Sequence, residues 1–327
     1  MVRYGLLIAF TRNLGDDIQS LAAKQFLPRI DLIIDRDSPN KVRCTDKVKV
    51  IFNGWFTYKP QNFPPAPCII PLFVSFHIHP KVADKFLREK MVKYLKMHEP
   101  IGCRDLYTMR LLNEKGIDAY FSGDLCFTLD RRFRLGCKKE DKILIVDLDE
   151  EALKVLPDKV LQQAVFLTHK HFEYASDKLF YLLRVVRGKR IFKALKFMQR
   201  PFITTVKFMR DFELKMRSKN VGANDKLKRA EQAIKQYASA KLVITSRLHA
   251  ALVAVAFEVP AFFVHRDPEE PRFQGLLNFM HYYSVDVFKK KVKDMDFESP
   301  PRNPNILLLK KLKRKLLQTC ENFIRYS

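Results

Sequence analysis

With 327 residues, 47% of them apolar and 29% charged, the chain is globular and long enough for two domains. Only 10 glycines and no visible repeat or low-complexity segment exclude a collagen-like, linker-rich or repeat protein. Lys and Arg total 60 against 36 acids, a formal charge of +24, so an anionic partner is expected: a phosphorylated substrate, nucleic acid or an anionic membrane face.

The apolar run from Tyr4 to Phe10 reads as a buried strand entering the loop "TRNLGDD" and a helix start. Asp16 and Asp17 can cap the helix "DIQSLAAKQFL", which Pro28 ends. "IDLIIDRDS" is a strand and turn. "VKVIFNGWF" is a strand ending at Asn53-Gly54, read as a tight turn giving close backbone approach to a ligand. "CIIPLFVSFHI" is a further buried strand, with His77 and His79 at its end as structural histidines. "KVADKFLREKMVKYLKMHE" has helical spacing, "IGCRD" is a short strand and loop, and "LYTMRLLNEKG" is a helix stopped by Gly116. "IDAYFSGDLCFTL" closes the unit. Continuous apolar strands alternating with helices imply a parallel sheet covered on both faces.

The polar, basic stretch "DRRFRLGCKKEDK" marks a boundary. Beyond it, "ILIVDLD", "KVLQQAVFLTHKH", "AKLVITS", "RLHAALVAVAFE" and "VPAFFVH" repeat the strand–loop–helix order. The expected architecture is α/β, with two Rossmann-like domains, 1–137 and 138–290, facing across a cleft, and a basic helical tail, 291–327. In such sheets ligands bind beyond the carboxyl ends of the strands. From Lys178 to Arg229 the second domain carries sixteen Lys/Arg and three acids, with apolar residues at roughly helical spacing. This insert reads first as a solvated helical pair packed on its domain, then as a contact with an anionic lipid surface or lipid-linked acceptor, and last as a nucleic-acid contact. The leucines of "LLLKKLKRKLLQTCENFIRYS" pack the tail across the domains.

The six cysteines form no CxxC pair and read as reduced thiols of a cytosolic protein. No run reaches the ~18 apolar residues of a spanning helix, so a cytoplasmic protein is expected, with at most peripheral contact with an anionic membrane.

"ITSRLHAALVAVAFEVPAFFV" carries the chemistry. A helix starting at a strand end directs backbone N–H groups at an anion. Arg247 can grip a phosphate or carboxylate bidentately, and His249 can donate or move a proton. The alternative is a structural Arg and a core His. Neither His77/His79 nor His169/His171 has a carboxylate at fixed spacing, so no metal is expected. The absence of G-x-G-x-x-G argues against a dinucleotide cofactor.

At these residues the chain resembles the polysaccharide pyruvyl transferase family. "VITSRLHAAL…AFEVPAFFV" is similar to its C-terminal motif, and "NLGDDIQSLAAKQFLP" to its N-terminal N-x-G-D segment. "VIFNGWF", "PLFVSFHI", "EPIGCRDLYTMRLLNEKGIDAYFSGDLCFTL" and "RFQGLLNF" are similar to family segments in the same order, so the match spans roughly Gly5 to Phe279. The resemblance implies a glycosyltransferase-B-like fold. It also implies transfer of the enolpyruvyl unit of phosphoenolpyruvate to saccharide hydroxyls as a pyruvate ketal, without a cofactor. The implied partners are phosphoenolpyruvate and a saccharide acceptor, free or lipid-linked; nucleic acid is not expected.

The resemblance makes His249, Asp16 and Asp17 the catalytic candidates. Arg247, Leu248, Ser246, Arg104, Asn13, Gly15, Asn53, Gly54 and His169 are the candidate binding residues. Asp16 has a second reading as a helix cap, and Arg104 as half of a structural loop pair with Asp105. Asp124 stands in "SGDLCFTL" where relatives often carry Cys; Cys126 would share its sheet face if the strand continued. Two other readings stay open. One is a glycosyltransferase-B-type enzyme using a nucleotide sugar in surface-glycan synthesis, since fold does not fix chemistry. The other is a non-enzymatic binder of nucleic acid or membrane.

Overall fold

The computed structural model describes residues 2–56, 58–133, 139–169 and 222–326. Among them, eleven strands form two sheets in which every paired strand runs parallel. The first contains β1 (Arg3–Ile8), β2 (Leu32–Asp35), β3 (Val48–Trp55), β4 (Ile69–His77), β5 (Ile101–Cys103) and β6 (Ala119–Phe121), in the order β2-β1-β3-β4-β5-β6. The second contains β7 (Ile143–Val146), β8 (Ala164–Leu167), β9 (Leu242–Thr245), β10 (Ala261–His265) and β11 (His281–Ser284), in the order β11-β10-β9-β7-β8. Strand order reverses between β1 and β3 in one sheet and between β7 and β9 in the other. Such reversals open a crevice beyond the carboxyl ends of the strands.

β1 to β10 form where the apolar runs predict them, whereas β11, with the sequence HYYS, has no apolar run to announce it. β7 and β9 are buried along their whole length, as expected for strands covered on both faces. The first helix, Leu14–Lys24, has ten buried residues and packs on the helix Ala223–Ser239. One core cluster therefore runs through both halves, joining Leu6, Ile18, Leu144, Ile234, Val243 and Leu316. The C-terminal helix, Ile306–Tyr326, buries Leu309, Leu316, Cys320 and Phe323 and returns to the first sheet. There the Lys49 Nζ of β3 donates to the carbonyls of Phe323 and Ile324 at 3.0 and 3.1 Å.

Five local expectations change. The predicted helix after Lys81 breaks into Ala83–Phe86 and Glu89–Lys96, because the chain turns to bury Phe86 and Leu87. β6 stops at Phe121, and Leu125–Thr128 forms a 3-10 turn capped by Asp124, so Asp124 and Cys126 do not share a strand face. Asn53 and Gly54 are not a turn: they lie inside β3 at a register shift against β4, with Gly54 at φ 103°. Asn13, not Asp16 or Asp17, caps the first helix, its side chain accepting from the Gly15 amide. Cys44 and Cys68 are joined in a disulfide, because β3 and β4 begin side by side, with Val48 opposite Ile69 and the Val48 amide donating to the Cys68 carbonyl. Their separation of 24 residues carries no motif that would announce the pair.

The boundary expected after residue 137 lies outside the described residues, as do His171, Cys137 and most of the basic insert. Among the described residues, no helix is long and apolar enough to cross a membrane.

Candidate functional site

A cavity of about 260 Å³ lies beyond the strand ends. The first half contributes Asn13, Asp16 and Gln19 from the start of the first helix, Trp55 at the end of β3, Tyr58, and Arg104 after β5. The second contributes His169 after β8, Ser246 to His249 after β9, His265 from β10, and Arg272 and Phe273. Eight of the twelve predicted residues thus meet at one cavity: Asn13, Asp16, Arg104, His169, Ser246, Arg247, Leu248 and His249. Gly15, Asp17, Asn53 and Gly54 are not in its lining.

Three guanidinium groups converge here. Arg247 caps the helix Leu248–Ala256, with its own amide held by Thr245 Oγ1 at 2.8 Å. Its Nε donates to Asp147 Oδ2 at 2.8 Å, which leaves its other nitrogens available. Arg104 is 2% exposed, and its Nε and Nη2 have no hydrogen-bond partner. Its nearest carboxylate, Asp105, stands at 3.6 Å. Asp105 instead accepts from the Thr108 amide as a helix cap and contacts His77 Nδ1 at 2.6 Å. Arg272 pairs with Glu270 at 2.5 Å. Burial first, then repulsion from Arg104 and Arg247 working against the Glu270 attraction, pushes its guanidinium below the usual range. A cluster of this charge can receive an anion.

His249 is the second residue of the helix Leu248–Ala256, and its ring meets elements of the first half. Its Nε2 lies 3.7 Å from Asp124 Oδ2. Burial opposes ionisation of Asp124, but the hydrogen bond and charge of His249, the Arg104 charge and the Cys126 amide outweigh it and bring its pKa to about 2. On the other side of the ring, a Cβ on Gly15 would come within 2.6 Å of His249 Nδ1. Glycine there lets the first helix touch the imidazole. Asp124, Cys126 and His249 also bring one ligand atom each within 4.8 Å of one another, a spacing that could hold a metal ion. Burial and the neighbouring carboxylate raise the Cys126 thiol well above its ordinary value, which keeps it protonated. That chemistry fits a hydrogen-bonded trio better than a thiolate ligand set.

Asp16 is ionised. Burial opposes this, but the Arg36 charge, the Thr11 hydroxyl at 2.5 Å and Arg36 Nη1 at 3.0 Å hold the carboxyl below its usual range. Asp17, a predicted catalytic residue, is fully buried beside Lys226 Nζ at 3.6 Å; one position along a helix turns its side chain away from Asp16. The His169 ring bonds Tyr237 at 2.8 Å, and its backbone carbonyl accepts from the Leu14 amide. Ser246 Oγ donates to the Val264 carbonyl and accepts from the Asp149 amide. His169 and Ser246 shape the cavity while their polar atoms hold neighbouring elements. Asn53 Nδ2 donates to the Gln19 carbonyl at 2.9 Å, and a Cβ on Gly54 would lie 2.7 Å from Gln19 Oε1. Both residues reach the cavity only through Gln19.

Sequence reasoning missed Gln19, Trp55, Tyr58, His265, Arg272, Phe273 and the Asp147 that anchors Arg247. Asp147 carried a usable signal: an acid directly after the apolar run "ILIV". Trp55 carried another, as the single tryptophan at a strand's carboxyl end.

A sequence model of the polysaccharide pyruvyl transferase family matches residues 13–268. Among curated proteins, none matches the chain significantly. Similar solved structures include a functionally uncharacterised protein from Klebsiella pneumoniae, 13% identical, with a TM-score of 0.43 over 83% of this chain and 87% of that one. Another is the UDP-GlcNAc 2-epimerase of Methanocaldococcus jannaschii, 10% identical, with a TM-score of 0.42 over 97% of this chain and all of that one.

Proposed function

The chain belongs to the polysaccharide pyruvyl transferase family and is a transferase; from that premise we propose that it moves the enolpyruvyl unit of phosphoenolpyruvate onto two hydroxyls of a saccharide. The product is a pyruvate ketal, made during polysaccharide synthesis. The two sheets with a shared cavity beyond their strand ends support a glycosyltransferase-B-like arrangement, with Rossmann-like domains 1–137 and 138–290. The net charge of +24 supports peripheral contact with an anionic membrane, where a lipid-linked acceptor would be met.

The observation that carries this reading is the buried Arg104, two of whose nitrogens lack a hydrogen-bond partner, beside Arg247 and Arg272. Phosphoenolpyruvate bears a phosphate and a carboxylate, and guanidinium forks match both. The backbone amides at the start of the helix Leu248–Ala256 add donors at the same spot. In this reading His249 protonates the methylene carbon of the enol. The adjacent carbon then becomes oxocarbenium-like, and a first sugar hydroxyl bonds to it, giving up its proton. A second hydroxyl attacks the same carbon, the C–O bond to phosphate breaks, and inorganic phosphate leaves with the cationic cluster neutralising it. One hydroxyl proton replaces the one spent on the methylene and the other leaves with the phosphate, so no redox cofactor is required. Asp16, held ionised, orients the attacking hydroxyl as an acceptor. Asp124 Oδ2, 3.7 Å from Nε2, orients the His249 ring for its proton transfer.

A nucleotide-sugar donor is the second reading, favoured by Trp55 and Tyr58 as rings for a base and Asp16 as a carboxylate for a ribose. Against it, a cavity of about 260 Å³ lies below the ~300–1,000 Å³ of most ligand pockets and suits a small donor. Thermal unfolding separates the two. Phosphoenolpyruvate should raise the melting temperature of the wild type but not of Arg247→Ala. A rise with nucleotide sugars alone would overturn pyruvyl transfer.

A further inference from the structure

The pyruvyl-transfer reading uses the cationic part of the cavity and Asp16, and assigns no ligand to the rings and the amide on the wall built by β3 and the first helix. That wall is chemically different. Trp55 lies 5.7 Å from Tyr58 with ring planes 10° apart, and 5.0 Å from His79 with planes 20° apart. Two near-parallel contacts fix the indole, and Tyr58 beside it is 60% exposed. Gln19 lines the same cavity as Trp55, Tyr58 and the arginines. It is 3% exposed, and neither its amide nitrogen nor its amide oxygen has a hydrogen-bond partner. The indole Nε1 also lacks one.

A buried amide with both ends unpaired costs free energy unless a ligand satisfies it. The fold goes to some length to hold it there. Gly54 leaves the space that Gln19 Oε1 occupies, and its φ of 103° disfavours any other residue. Asn53 fixes the Gln19 backbone from the other side of the bulge.

We propose that Gln19, Trp55 and Tyr58 form a saccharide subsite, in which the rings carry the apolar face of a pyranose and the Gln19 amide reads two neighbouring hydroxyls. The amide offers one donor face and one acceptor face side by side. A vicinal or 1,3-diol matches that pair, because one hydroxyl accepts while the other donates. An anion does not match it, since the acceptor oxygen would repel it. The rings add large apolar area with little entropy to lose. The subsite deepens the pyruvyl-transfer reading, because a ketal needs two neighbouring hydroxyls presented together beside the donor.

The test uses the chain's single tryptophan, whose fluorescence reports Trp55 alone. Methyl glycosides of the gluco, galacto, manno and 2-acetamido series are titrated into the protein, with and without phosphoenolpyruvate. A saturable change in emission is expected with at least one of them. Its dissociation constant should rise about tenfold or more in Gln19→Leu and in Tyr58→Ala. Circular dichroism and melting temperature confirm that both variants fold. Calorimetry with phosphoenolpyruvate should give the same donor affinity in both variants as in wild type. Unchanged emission across the panel, or equal glycoside affinity in wild type and both variants, overturns the subsite. A response to UDP-sugars that those variants abolish, without one to glycosides, overturns it too and assigns the rings to a base. Glycoside binding without phosphoenolpyruvate binding sinks the donor reading and leaves the subsite standing.

Discussion

Arg104 is the residue at which the donor reading and the stability of the fold can be tested together. Its guanidinium is buried, two of its nitrogens are unpaired, and Asp105 at 3.6 Å is already engaged by His77 and Thr108. Exchanging a buried ion pair for packed apolar side chains is often neutral or stabilising by about 1–4 kcal/mol, and Asp105 keeps its His77 and Thr108 contacts when Arg104 is replaced. Arg104→Met should therefore unfold at the same or a higher denaturant concentration than wild type, yet lose the stabilisation given by phosphoenolpyruvate. The same variant should alter the acid limb of stability. Burial first, then the Arg104 charge, lowers the His77 pKa to about 4, against the pull of Asp105. Folded His77 is thus neutral between pH 6.5 and about 4, where the unfolded chain takes up a proton. The His77 contribution is fully present above pH 6.5, falls as the pH drops toward 4, and levels off below. The loss is about 3 kcal/mol for a shift of this size. Without Arg104 the shift shrinks, so urea midpoints between pH 7.5 and 4 should fall less in Arg104→Met than in wild type. An identical fall in both would remove Arg104 from the account of His77.

Between elements, the decisive contact is where the first helix meets the helix Leu248–Ala256. Both begin at strand ends, and Gly15 lets the first approach His249. An alanine would by itself favour a helix over glycine by about 0.5–1 kcal/mol. Here its Cβ would displace the imidazole. Gly15→Ala should therefore keep its melting temperature within a few degrees of wild type while kcat falls about tenfold or more. Unchanged kcat with a clear loss of stability would make the approach a packing feature only. This contact also marks what the sequence discloses. "NLGDD" and "SRLH" announce two strand-end loops with the right chemistry, because apolar runs, helix starts and charged residues are local patterns. The string cannot show that Gly15 lies against His249, because that depends on how two sheets meet. For the same reason Asn53-Gly54 reads as a turn when it is a bulge supporting Gln19, and Asp17 reads as equivalent to Asp16 although helix geometry separates them. Gln19 looks like an ordinary helix residue until Gly54 is seen opposite it. The Cys44–Cys68 pair depends on the parallel register of β3 and β4.

At the scale of the molecule, the question is whether two sheets unfold as two bodies or one. Chains with two domains commonly depart from a single transition. In this fold a single core cluster passes through both halves, and the C-terminal helix returns from the second to the first. Lys49 secures that return. It lies in β3, 3% exposed, where an alternating strand would place an apolar side chain, and its amine caps the last carbonyls of the C-terminal helix. A cation at a helix C-terminus also complements the helix dipole, and the Phe323 ring sits 5.6 Å away. Burial lowers the amine's pKa, but its two carbonyl acceptors repay part of that cost. Lys49→Met keeps the length and removes the donors, so it should cost about 1–3 kcal/mol. Two probes then decide how the halves are coupled. Trp55 fluorescence reports β3 in the first sheet, and far-UV circular dichroism reports the helices of both halves. If the shared core makes one cooperative unit, the two curves coincide in wild type and shift together in Lys49→Met. If the C-terminal helix is an appendage, the variant splits them, with helical signal lost at lower denaturant while Trp55 emission holds. Coincidence would also mean that a ligand bound by both walls of the cavity stabilises the whole chain, so one melting curve reports donor and acceptor together.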